Sequence, residues 1–131
     1  MKGSISLYPR TGDTNIPPLP DDISRAQKNR IINGYNKITD HLTEKDIEGA
    51  IKDIIGEPIM KDEKTPYQHY KEVEEAINGL KKDRDSLEKS IRNPNLPPEV
   101  EKSIKDAINE FDIHINNWNK IKEEYHKWKK L

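Results

Sequence analysis

From the break at "NPNLPP" to its C-terminus the chain repeats one pattern: Val100, Ile104, Ile108 (or Ala107), Phe111, Ile115, Trp118 and Tyr125 recur at heptad-like steps. Such spacing gathers the apolar side chains on one stripe of a single long helix running from about Pro97. A narrow stripe on an otherwise polar helix is buried only when other helices cover it. The chain must therefore build a helical bundle. Charged residues make up 36% of the sequence and hydrophobic ones 31%, so the core has to be thin and assembled from several such stripes. A mean hydropathy of -1.06 leans toward disorder, and pattern rather than composition decides the matter.

Three earlier segments supply the partners. Over residues 21–39, Ile23, Ala26, Ile31, Tyr35 and Ile38 recur at helical spacing behind Asp21 and Asp22, with Gly34 as the weak position. In "HLTEKDIEGAIKDIIG", Thr43 and Asp46 stand as N-cap and N3 of a capping box, and Leu42 and Ile47 as a hydrophobic staple. Ile47, Ala50 (or Ile51) and Ile54 give the stripe there, and Gly56 the stop. In "TPYQHYKEVEEAINGL", Thr65 reads as N-cap, Pro66 as N1 and Gln68 as N3, which makes His69 the N4 residue. Tyr70, Val73, Ile77, Leu80, Leu87 and Ile91 carry that stripe to the break. Residues 1–20 hold Pro9, Pro17, Pro18 and Pro20 without periodicity and read as an extended linker or arm. The expected fold is all-α: a small bundle of about four helices over residues 21–131, the last two long and antiparallel.

Several function classes drop out. The chain has no cysteine, which removes disulfides, zinc-thiolate sites and cysteine nucleophiles together. No apolar run approaches the roughly 18 residues of a membrane span, and no signal-peptide core opens the sequence. Lys and Arg total 23 against 24 Asp and Glu, a formal charge of -1, so nucleic-acid binding would need a local basic patch or a partner.

His69 is the first candidate for chemistry. It falls in the opening turn of a helix, where a neutral imidazole can act as general base and backbone N–H groups can receive a phosphate oxygen. Glu72, three residues on, shares its face and can orient the ring. Packing beside Tyr70 and Val73 is the commoner role of a lone histidine. His41, just before the second helix, could meet His69 across the following loop. Two such groups suffice to cleave RNA without a metal, one deprotonating the 2′-OH and the other protonating the leaving oxygen. Lys61, Lys64, Lys71 or Lys52 could neutralise the phosphorane. Asp46 and Asp53, seven apart on one face, could with Glu48 or Glu57 hold Mg²⁺, although Asp46 already serves as a cap. His114 and His126 lie among Trp118, Tyr125 and the lysines of "NKIKEEYHKWKKL", which suits base stacking but equally suits a core stripe with a basic helix end. Tyr67 falls off its stripe, beside His69, where it could contact a substrate.

Taken together, "HLTEKDIEGAIKDIIGEPI" and "YQHYKEVEEAINGLKKDRDSLEKSI" resemble polymorphic toxin type 28, also called bacterial toxin 28, a domain at the ends of contact-dependent inhibition and other interbacterial effectors. The similarity spans residues 40–87 and continues more loosely through the final helix. The resemblance implies a ribonuclease toxin, some members acting on tRNA, neutralised in the producing cell by a cognate immunity protein and delivered from a secreted effector into the cytoplasm of a target bacterium. It makes His69, in the Tyr-x-His motif, the first choice for catalysis and His41 the second, with no metal. Tyr67, Asp46, Asp53 and Glu72 also fall on matching positions. Gly49, Gly56 and Gly79 fit close packing or chain reversal. The loop "IMKDEKTP" departs from the family pattern in its lysines and acids.

A near-neutral ribonuclease of this size would hold tRNA weakly. No small-molecule cofactor is expected, but a host protein, such as a translation elongation factor, is a plausible presenter of the substrate. The competing expectation is a non-enzymatic helical interaction module, an adaptor or an immunity-like binder.

Overall fold

The computed structural model describes residues 16–57, 59–65 and 68–129 of the chain. Four helices follow in order: α1 (Arg25–His41), α2 (Glu44–Ile54), α3 (His69–Ser90) and α4 (Pro98–Lys129). The all-α bundle expected from the stripes is the fold observed.

Side-chain pairings fix how the two long helices run. Glu74 meets Trp118 and Lys122, whereas Arg84, further along α3, meets Asp112, earlier along α4. Rising position on one helix matches falling position on the other, so α3 and α4 are antiparallel. Both α1 and α2 pack on α3 and touch α4.

The stripes close into one core. Phe111, Ile104, Trp118, Val73, Leu80 and Leu87 are fully buried, joined by Ile31 of α1 and by Leu42 and Ala50 around α2. Burying an aliphatic or phenylalanine side chain of this kind contributes about 1.5–3 kcal/mol, so a thin core of narrow stripes suffices. Tyr35 packs edge-on to Phe111, their ring centres 5.4 Å apart. Gly34 explains how Phe111 gets there. A Cβ at Gly34 would lie 2.1 Å from Phe111 Cζ, so the glycine that weakened the helix pattern makes room for the tip of the core phenylalanine ring.

Local signals at the ends of α1 and α2 have mixed outcomes. The capping box of α2 forms as read, with Thr43 Oγ1 accepting from Asp46 N–H at 3.2 Å and Asp46 Oδ2 accepting from Thr43 N–H at 3.1 Å. Gly56 takes the left-handed φ of +84° that ends this helix. The first helix, by contrast, starts later than the acids at 21 and 22 suggest. Ser24 caps it in a reciprocal pair with Gln27, and no acid lies in its first turn. Ala26 of the expected stripe is exposed. Residues 16–20 lie outside any helix, with Leu19 packed against the core, and the rest of the expected arm lies outside the described residues.

Candidate active site

The start of α3 differs from its sequence reading. His69 is the first helical residue, not the fourth, and Gln68 stands at the N-cap without a side-chain hydrogen bond. Pro66 and Tyr67 lie outside the described residues. Asp53, from the last turn of α2, takes over the cap: its Oδ2 accepts from Tyr70 N–H at 2.9 Å. A tertiary carboxylate thus does what a local Thr-x-x-Gln box was expected to do, satisfying an open N–H and complementing the positive end of the helix dipole. The other oxygen, Oδ1, is buried and has no hydrogen-bond partner among the described residues.

The first turn of α3 lies directly on α2. A Cβ placed on Gly49 would fall 2.5 Å from His69 Cγ and 2.6 Å from its Nδ1, so the imidazole rests on bare α2 backbone. The ring is half-buried, with Nδ1 enclosed. Glycine in a helix interior costs about 1 kcal/mol relative to alanine, a cost that this contact explains.

Two clefts flank this turn. The larger, about 250 Å³, is lined by Lys37, His41, Glu72, Glu75 and Ala76. Lys37 is held there from two sides: its stem crosses Gly79, whose Cβ would meet Lys37 Cε at 2.5 Å, and its Nζ donates to Asp83 Oδ2 at 2.7 Å. Glu72 belongs to this wall, so it faces the cleft that holds His41 while sitting one turn beyond His69. The smaller cleft, about 140 Å³, is lined by Asp53, Ile54, Tyr70 and His126. Here the Tyr70 hydroxyl is 3.5 Å from His126 Nε2, and the tyrosine ring tilts against Trp118 at 5.7 Å.

Below Tyr70 lies a charged triplet. Glu74 Oε2 accepts from Trp118 Nε1 at 2.6 Å and pairs with Lys122 Nζ at 2.8 Å. Burial pushes the Glu74 carboxyl up, but the hydrogen bonds from Lys122 and Trp118 and the charges of Lys122 and Lys81 outweigh it and hold it below the ordinary value. Burial, then the Glu74 carboxylate, pushes the Tyr70 phenol above its ordinary value, with Lys122 opposing.

The remaining expected residues separate into two groups. Asp46 and Asp53 each cap a helix, and among the described residues no three histidine, aspartate or glutamate side chains gather as a metal would need. Lys61 and Lys64 are exposed in the connection between α2 and α3, which Asp62 folds into a turn by accepting from Lys64 N–H and Thr65 N–H. Lys71 is exposed on α3. His114 is buried on the α4 stripe, its Nε2 3.3 Å from Glu110 Oε2, a packing position. Sequence reading did not single out Lys37, Glu74 or Lys122. For Glu74 and Lys122 the signal was register, set by how α3 and α4 turn back on each other across the break; Lys37 is placed by the packing of α1 on α3.

Fold and site together define a small all-α domain in which His69 opens α3, with His41 and Glu72 lining one flanking cleft and Asp53, Tyr70 and His126 the other. The chain belongs to the bacterial toxin 28 family, whose profile matches residues 22–124. It is also similar, at 29% identity over 98 residues, to the tRNA nuclease CdiA of Escherichia coli O6:K15:H31 (strain 536 / UPEC). That match takes in 75% of this chain and 3% of the relative's length. No solved structure matches the chain.

Proposed function

We propose that the domain is a ribonuclease toxin that cleaves tRNA without a metal, by proton transfer from His69 and His41. The observation that carries this reading is the seating of His69: first residue of α3, laid on Gly49, with Asp53 from α2 capping the next residue. With Tyr70 N–H taken by Asp53, a scissile phosphate placed at this helix N-terminus meets the imidazole and the first-turn N–H groups that Asp53 leaves open. The family assignment and the similarity to a tRNA nuclease support the substrate class.

In this mechanism His69 takes the proton of a ribose 2′-OH, whose oxygen attacks the adjacent phosphorus. His41 protonates the departing 5′ oxygen, leaving a 2′,3′-cyclic phosphate and a 5′-OH. Glu72, on the wall of the His41 cleft and one turn from His69, orients the rings. Charge on the phosphorane is met by Lys37, which lines that cleft, and by Lys61, Lys64 or Lys71 from the rim. Tyr67, by its place in the motif, contacts the substrate.

The wider setting belongs to the same proposal. The domain is delivered from a secreted effector into the cytoplasm of a target bacterium, and a cognate immunity protein covers it in the producer. A host protein such as an elongation factor presents the tRNA, since the chain's charge of -1 gives little bulk attraction. No helix among the described residues is long and apolar enough to cross a membrane.

Expression of the wild type and of His69→Ala in a bacterium tests the reading. Growth arrest with degraded tRNA from the wild type alone is expected, with cyclic-phosphate ends and no effect of EDTA on cleavage in extract. A harmless wild type would overturn the toxin reading, and Mg²⁺-dependent cleavage would overturn the two-histidine mechanism in favour of Asp46 and Asp53 as metal ligands.

A further inference from the structure

We infer that Gly49 is a positioning residue for catalysis: the absence of a side chain at this point of α2 fixes where the His69 imidazole sits. The inference rests on the reading of His69 as a proton-transfer group. Three observations lead to it. Gly49 is buried inside α2, where glycine is a poor helix former. Its backbone does not call for glycine, because Gly56 alone among the described glycines has a positive φ. What it does meet is the imidazole, with Cγ, Nδ1 and Cδ2 all within 2.7 Å of a built Cβ.

The atoms approached make the contact consequential. Cγ is the root of the ring, so a methyl group at 49 cannot be accommodated by moving the far end of a flexible chain. Either the ring turns about χ1 or α2 and α3 part. Parting is opposed by Asp53, one turn along α2, whose carboxylate holds Tyr70 N–H at 2.9 Å. Residues 49 and 53 therefore act on successive residues of α3, the first placing the ring and the second the helix that carries it. A displaced ring no longer addresses a substrate hydroxyl in line with the phosphorus, and misplacement by about 1 Å can lower a rate on the order of 100-fold.

The experiment is a double-mutant cycle of Gly49→Ala and His69→Ala in the full domain. Cleavage of tRNA is measured in clarified bacterial extract, which supplies any host partner, and thermal unfolding is followed by circular dichroism. Gly49→Ala is expected to slow single-turnover cleavage by about 10- to 100-fold with tRNA half-saturation changed less than about twofold. In the His69→Ala background the same substitution should cause no further loss. Tm should fall when alanine is introduced beside His69 and rise when it is introduced beside Ala at 69, where the methyl fits and α2 loses a glycine. Wild-type cleavage by Gly49→Ala with inactive His69→Ala would overturn the inference alone. Full activity in His69→Ala would overturn the catalytic reading and the inference with it. An equal Tm change in both backgrounds would show that the ring is not what glycine accommodates. If Gly49→Ala does not fold, recovery of folding in the double variant supports the contact and its failure overturns it.

Discussion

Asp83 sits where α3 should be apolar, and replacing it tests how the bundle tolerates a buried charge. It falls between Leu80 and Leu87 on the core stripe and is 2% exposed. Arg30 Nη1 at 3.0 Å and Lys37 Nζ at 2.7 Å, both from α1, hold its two oxygens. Asp83→Ala removes both contacts. Stranding a buried charge costs about 3–5 kcal/mol, but neither cation here is stranded, because the Arg30 and Lys37 side chains are 48% and 29% exposed and can turn to water. The Arg30 contact, half in solvent, is worth about 0–1 kcal/mol, and the Lys37 contact about 1.5–3 kcal/mol as a charge-assisted hydrogen bond. The carboxylate's own desolvation is relieved at the same time. A net loss of about 2 kcal/mol follows, or roughly 6–10 °C in Tm for a domain of this size. Asp83→Leu suffers the same loss but buries an apolar side chain worth about 1.5–3 kcal/mol, and should lie within about 1 kcal/mol of wild type. Urea unfolding followed by far-UV circular dichroism measures both. Equal destabilisation of the two variants, or no measurable effect of Asp83→Ala, would refute the reasoning. Both variants also release Lys37 from its bond to Asp83 beside the His41 cleft, so under the proposed mechanism Asp83→Leu should cleave RNA more slowly while remaining folded.

Gly34→Ala should destabilise by about 1–3 kcal/mol through the clash with Phe111, measurable as a lower Tm. Phe111→Leu in the same chain should return part of that loss. For Glu74, whose folded carboxyl lies below the ordinary 4.5, the linked stability is fully present above the unfolded value and is lost as pH falls through the folded one. Glu74→Gln should therefore give a shallower fall of Tm between neutral pH and about pH 3. On α1, Arg25 and Lys28 are exposed; Arg25→Ala or Lys28→Ala should weaken tRNA binding without sequence preference and reduce the salt dependence of log K by about one unit of slope.

What the sequence revealed and what it hid divide along the reach of each interaction. The Thr43–Asp46 box, the Gly56 stop and the α4 stripe depend on residues within a turn or two of one another, and all three are in the structure as read. The start of α3 was misplaced by three residues because its cap comes from Asp53, seventeen positions away. The same reason hid Asp83. Its position on the stripe was visible, but only the approach of α1 supplies the two cations that make a carboxylate tolerable there. His69 could be singled out by its motif, whereas its contact with Gly49 depends on how α2 packs on α3.

That dependence bears on the loop in which this chain departs from the family pattern. Two residues of α2, Gly49 and Asp53, bear on His69 and on the turn that carries it. The connection itself is folded through Asp62 and the Lys61 N–H bond to the Thr65 carbonyl. Its lysines and acids are exposed. Along α1 stand four basic residues, Arg25, Lys28, Arg30 and Lys37, and one acid, Asp40, before the helix ends at His41; Arg30 and Lys37 are paired with Asp83, and Arg25 and Lys28 are exposed. A chain with almost no net charge thereby has a local excess of basic residues on the helix that leads into the His41 cleft, and the proposed binding of phosphate requires no excess overall.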